Sequence, residues 1–199
     1  GGPPLAGRRG LHLRAFPTPW GRWSAVGGSD GVFRTPRNRY RTDTMHIHTQ
    51  DPATSDITAL LEQHLADMRA ISPPESKHAL DIEGLRTPDI SFWSVRDDNG
   101  SLMGCGALKQ LDANHAEIKS MRTDPAHRRK GVAGALLARI INHAQAQGIA
   151  RLSLETGAQS HFAPARALYE RFGFIPCAPF ADYSPDPNSV FMTRELQVV

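Results

Sequence analysis

The chain reads as α/β: a mixed, mostly antiparallel central sheet flanked by helices. Three patterns lead there. Short strand-like runs joined by a tight turn fill residues 90–123. Longer stretches carry apolar residues at helical spacing. One of these helices stands between two strands, the order that makes a parallel crossover.

Met45–Thr49 alternates as a first strand. Ser55 is suited to cap a helix in which Ile57, Leu60, Leu61, Leu65 and Met68 share a face, and Pro73-Pro74 ends it. A second, shorter helix fits 75–85. Residues 90–95 form a strand, and Asp98-Asn99-Gly100 supplies a hairpin turn into a strand at 101–108, where Gly104 and Gly106 bracket Cys105. A fourth strand covers 116–123. A long helix fits 131–147, with Val132, Leu136, Ile140 and Ile141 on its apolar face and Gly148 at its C-terminal cap. A strand at 151–155, a helix at 164–172 and strands at 174–177 and 190–196 complete the order.

Composition narrows the function. The 199 residues suit one domain with an appendage, and no apolar stretch is long enough to span a membrane. Two cysteines give neither a disulfide framework nor a Cys-based zinc site, so a reducing, cytoplasmic setting is expected. The formal charge of +3 is uneven: residues 1–44 carry eight Arg against two Asp, +6, leaving −3 for the rest. Nucleic acid is therefore not an expected partner of the domain. Residues 1–44 are rich in Gly, Pro and Arg, without sustained period. They read as a poorly ordered tail, vector-derived or translated from upstream, with Met45 as the natural start and 45–199 as the domain. Phe16, Trp20, Trp23 and Phe33 are apolar enough for part of the tail to pack on that domain.

The informative stretch lies between the fourth strand and the long helix. Asp124-Pro125 breaks the strand, and Arg128-Arg129-Lys130-Gly131-Val132-Ala133 leads into the helix. A helix N-terminus offers unsatisfied N–H groups and a positive dipole end, both suited to a pyrophosphate. Gly131 lets phosphates approach the backbone, small Ala133 keeps the first turn uncrowded, and three cations stand nearby. Neither the G-x-x-x-x-G-K-S/T loop nor G-x-G-x-x-G occurs at this helix.

Arg128-x-x-Gly131-x-Ala133 resembles the Q/R-x-x-G-x-G/A signature of the GNAT superfamily of acyl-CoA N-acyltransferases. A second stretch, Ala165-x-x-Leu168-Tyr169-Glu170 through Gly173-Phe174, is similar to that family's A-x-x-L-Y-E-x-x-G-F. The family Asn before it is replaced by Phe162, which puts the local cofactor contact in doubt. The resemblance covers residues 45–196 and implies a GNAT fold with a strand–loop–helix acyl-CoA site. It implies acetyl-CoA as co-substrate, held by Arg128, Arg129, Lys130, Gly131, Val132 and Ala133 at the pyrophosphate. Met121, Arg122 and Thr123, on a bulged strand, would pair with the pantetheine arm, and an N–H near Met121 would face the oxyanion.

The implied activity is direct acetyl transfer to the amine of a small molecule. An alkylammonium must lose a proton before it attacks a thioester, and the departing thiolate must gain one. Glu117, in mid-strand, is the candidate base; its bland alternative is a solvent-facing partner of Lys119 or Arg122. Tyr169 is the candidate acid, with plain packing as its alternative. Acceptor contacts are expected from Glu75, His78, Asp182 and Tyr183, in the regions where the family builds its acceptor pocket. No metal is expected: His46 and His48 share a strand face but lack further ligands. Cys105 reads as a core residue. A homodimer is left open. The rival readings are a non-catalytic CoA-binding sensor or scaffold, and an acetyltransferase of protein tails.

Overall fold

The computed structural model describes residues 31–33, 44–71 and 82–197. Its strands are β1 (Gly31–Phe33), β2 (Met45–Thr49), β3 (Ile90–Arg96), β4 (Leu102–Gln110), β5 (His115–Thr123), β6 (Arg151–Gly157), β7 (Ile175–Pro176) and β8 (Ser189–Glu195). The helices are α1 (Ser55–Ile71), α2 (Val132–Ala146) and α3 (Ala163–Arg171). The strands form one sheet in the order β1-β2-β3-β4-β5-β6-β8-β7. All neighbours are antiparallel except β5 and β6, which the α2 crossover joins in parallel.

Strand alternation divides the core between the two faces. On one face, α2 and α3 pack through Leu136, Leu137, Ile140 and Tyr169 onto Trp93, Val95, Ile118 and Leu154. On the other, Ile57, Leu60 and Leu61 of α1 cover Phe92, Cys105 and Ala107. Neighbours Phe92 and Trp93 thus serve opposite layers, as period two requires.

Three elements differ from expectation. Ser55 is the first helical residue of α1 rather than its cap; the Thr54 carbonyl takes the first helical bond, from Thr58 N at 2.9 Å. Within the helix expected at 75–85, residues 82–85 form a turn running into a 3₁₀ stretch, Gly84–Arg86, and 75–81 lie outside the described residues. Glycine favours such a break, and Arg86 turns toward Asp51 at 3.2 Å. Upstream of residue 45, β1 pairs Phe33 with Met45, so the first segment contributes an edge strand.

Candidate active site

The site begins with a defect in strand pairing. β5 pairs with β6 only over residues 115–118, against 151–154. Beyond that point β6 continues along β8, and residues 119–123 of β5 have no strand partner on their β6 side. On the other side, Cys105 pairs with Arg122 but Ala107 pairs with Lys119. One residue of β4, Gly106, therefore faces two of β5, Ser120 and Met121, and Ser120 sits at φ 54°. This bulge turns β5 away from β6. Glycine leaves room opposite it for the Met121 side chain, whose Sδ would lie 2.6 Å from a Cβ on Gly106.

A cleft of about 110 Å³ opens where the strands part, lined by Lys119, Ser120 and Met121 from β5 and Glu155, Thr156 and Gly157 from β6. Because it passes between strands, groups from both faces reach it. Tyr169 enters from the α3 layer. Glu117 enters from the opposite side of β5 to Ile118, and His64 and Met68 from α1.

Glu117 is buried at 3% exposure, and its Oε1 accepts from Lys119 Nζ at 2.8 Å and from the Tyr183 hydroxyl at 2.5 Å. Lys119 Nζ also donates to the Tyr183 oxygen at 2.7 Å. The Lys119 partner foreseen for Glu117 is present, but the pair faces the cleft interior rather than solvent. Burial first, then the Glu117 carboxylate, raise the Tyr183 phenol far above its ordinary pKa. Burial, with Glu155 adding to it, does the same for Tyr169, whose ring edge also meets Phe174. Both phenols thus stay protonated at neutral pH and are donors.

His64 sits beside the Arg122–Asp67 ion pair, with Arg122 Nη1 3.4 Å from its Nδ1. Burial first, then Arg122, push its pKa down to about 4 against the pull of Asp67, so the ring is neutral at pH 7. Cys105 is fully buried, burial pushes its thiol up to about 12, and its Sγ donates to the Ser120 carbonyl at 3.8 Å. It is a core residue and no nucleophile.

The strand–loop–helix segment continues from the bulge. The Asp124 carboxylate accepts from Ala126 N at 2.8 Å and starts a 3₁₀ turn, Pro125–His127. Arg129 at φ 63° and Gly131 at φ 87° then reverse the chain into α2. No side chain caps α2, so its first N–H groups remain available. Arg128, Arg129, Lys130 and Gly131 are exposed, while the Val132 side chain is buried and could offer a ligand only its N–H.

The candidate residues thus fall into three groups. Glu117, Met121, Tyr169 and Tyr183 line one cleft. Arg128, Arg129, Lys130, Gly131, Val132 and Ala133 surround the open helix terminus beyond Arg122 and Thr123. Asp182 is exposed and does not line the cleft, and Glu75 and His78 lie outside the described residues. The Arg122 side chain is occupied by Asp67, which leaves its backbone for any ligand contact. Sequence reading missed His64, although a signal was there: a polar residue three and four positions after Leu61 and Leu60, on the apolar stripe of α1. Phe162, in the place of the family Asn, also lines the cleft.

A family model described as the Acetyltransferase (GNAT) family matches residues 57–174. The chain is 55% identical over 152 residues to the uncharacterized N-acetyltransferase YsnE of Bacillus subtilis, covering 76% of this chain and 100% of that protein. It is 36% identical over 151 residues to an IAA acetyltransferase of Azospirillum brasilense, covering 75% and 97%. Among solved structures, a putative acyl-CoA N-acyltransferase from Klebsiella pneumoniae superposes with a TM-score of 0.64 at 29% identity, covering 77% of this chain and 98% of that one.

Proposed function

The chain belongs to the GNAT acetyltransferase family, and on that premise we propose that it moves the acetyl group of acetyl-CoA directly onto the amine of a small molecule. The observation that carries this reading is the continuity of one surface. A cleft holding a buried carboxylate and a protonated phenol runs along an unpaired strand edge to an uncapped helix N-terminus. The edge of residues 119–123 suits the amides of a pantetheine arm, and the α2 terminus with Arg128, Arg129 and Lys130 suits a pyrophosphate. Met121, Arg122 and Thr123 serve the arm through their backbone.

In this mechanism Glu117 takes a proton from the acceptor ammonium. The freed nitrogen forms a C–N bond to the thioester carbon, and backbone N–H groups at the bulge near Met121 stabilise the oxyanion. Collapse breaks the C–S bond. Tyr169 gives its proton to the thiolate and recovers one from the new amide nitrogen, while Glu117 releases its own to water. Cys105 takes no part, so no acyl-enzyme forms. A small acceptor is supported by a relative, 36% identical over 151 residues, named as an IAA acetyltransferase. Two free thiols suit a reducing cytoplasm. Among the described residues no helix is long and apolar enough to cross a membrane.

The test is calorimetry with acetyl-CoA, followed by thiol release across an array of small amines, free amino acids and short peptides. Binding together with turnover on a small amine supports the reading. Binding without turnover on any acceptor favours a sensor, and turnover on peptides alone favours a tail-modifying enzyme.

A further inference from the structure

We propose that Tyr183 and Lys119 are positioning residues for the base: together they hold Glu117 by one oxygen, Oε1, and leave Oε2 to take the acceptor's proton. The inference rests on the reading of Glu117 as base and adds which of its oxygens works and what aims it. The Tyr183 hydroxyl and Lys119 Nζ both donate to Oε1, at 2.5 Å and 2.8 Å. Among the described residues no group donates to Oε2. The donors also bind each other at 2.7 Å, closing a triangle that a rotated carboxylate would break.

Strand register and ring packing bring the corners together. Glu117 and Lys119 are two apart on β5, so strand geometry puts them side by side. Tyr183 comes from the segment between β7 and β8. Its ring packs on Phe180 and Phe191 at centroid distances of 5.2 and 5.3 Å, while Lys119 Nζ lies 5.4 Å from its ring centre. The assembly is therefore ordered before substrate arrives, and Lys119 adds a cation that disfavours the ammonium form of a bound amine. His115 on β5 and Glu155 on β6 are the other titrating groups coupled to this cluster.

The test compares Tyr183→Phe, Lys119→Met and Glu117→Gln in the full chain, using thiol release from acetyl-CoA with the best acceptor of the amine array. Tyr183→Phe keeps the ring and removes only the donor. A lost hydrogen bond to a charged group predicts a kcat lowered about tenfold. The KM for acetyl-CoA should stay put, the melting temperature should fall only modestly as the buried carboxylate loses one donor, and the acidic limb of the pH profile should move to higher pH. Lys119→Met should shift that limb the same way, which covers the case of a poorly folding Tyr183 variant. Full loss in Glu117→Gln with an unchanged kcat and limb in both other variants overturns the positioning role and leaves the base standing. An unaltered limb in Glu117→Gln overturns the base itself. A Tyr183→Phe rate that falls only in step with its melting temperature reduces that residue to packing.

Discussion

Gly131 meets a conformational demand that suits glycine alone. At φ 87° it occupies backbone space that a side chain enters only under strain, and it does so where the α2 amides must stay open. Gly131→Val should weaken acetyl-CoA binding at least tenfold in calorimetry, and unchanged affinity would remove the loop from the binding surface. Tyr169 tests the chemistry instead. Its phenol is held protonated by burial, so Tyr169→Phe should lower turnover about a hundredfold while acetyl-CoA affinity stays level. Equal losses in both would mark a packing residue. These positions were legible in the sequence because motif spacing specifies them. The contact of Tyr183 with Glu117 was not, since 66 residues separate the partners and no local pattern records a tertiary hydrogen bond. His64 was half legible, as a polar intruder on an apolar stripe whose purpose only the neighbouring Arg122 reveals.

Among the elements, the bulged β5 does most to make the site, and its neighbour β4 is shaped to admit it. A Cβ on Gly104 would lie 2.6 Å from the Arg122 carbonyl oxygen, a backbone atom that cannot swing aside. Gly104→Ala should therefore destabilise the fold by about 1–3 kcal/mol. It should also weaken acetyl-CoA binding, because the backbone it displaces, Arg122 and Thr123, is the stretch proposed to pair with the pantetheine arm. Denaturant unfolding and calorimetry on one preparation would check both, and a variant with normal stability and affinity would mean that β5 tolerates the shift. Strand and helix spans followed from period two and period 3.6 almost throughout, and the parallel crossover followed from element order. The bulge came only from the family resemblance: Glu117-Ile118-Lys119-Ser120-Met121 alternates too imperfectly for its register to be counted from sequence. The edge strand β1 was hidden in a Gly-rich segment, where three residues are too few to set a period.

At the scale of the whole molecule, three histidines among the described residues are held as neutral rings, His115 buried and His64 and His143 half-buried. His64 lines the cleft, His115 bridges Ser153 and Arg151, and His143 meets the edge of Trp93. Burial lowers the pKa of all three, that of His64 to about 4. The sign follows from linkage. A histidine with a folded pKa below its unfolded value of about 6.5 binds its proton more readily in the unfolded chain. Its neutral form contributes full stability above pH 6.5, and that contribution declines as pH falls, levelling off near the folded value. Carboxylates held low by partners, such as Asp67 beside Arg122 and Asp56 beside Arg96, lose their contribution only at more acidic pH. The melting temperature should therefore already fall between pH 6.5 and about 4, before carboxylate protonation begins to matter. His64→Gln should remove about 2 kcal/mol of that dependence, measured as stability at pH 7 minus stability at pH 4.5. If the variant keeps the whole slope, the acid sensitivity resides in His115 and His143, and the His64 ring is more open to solvent than its packing against Arg122 indicates.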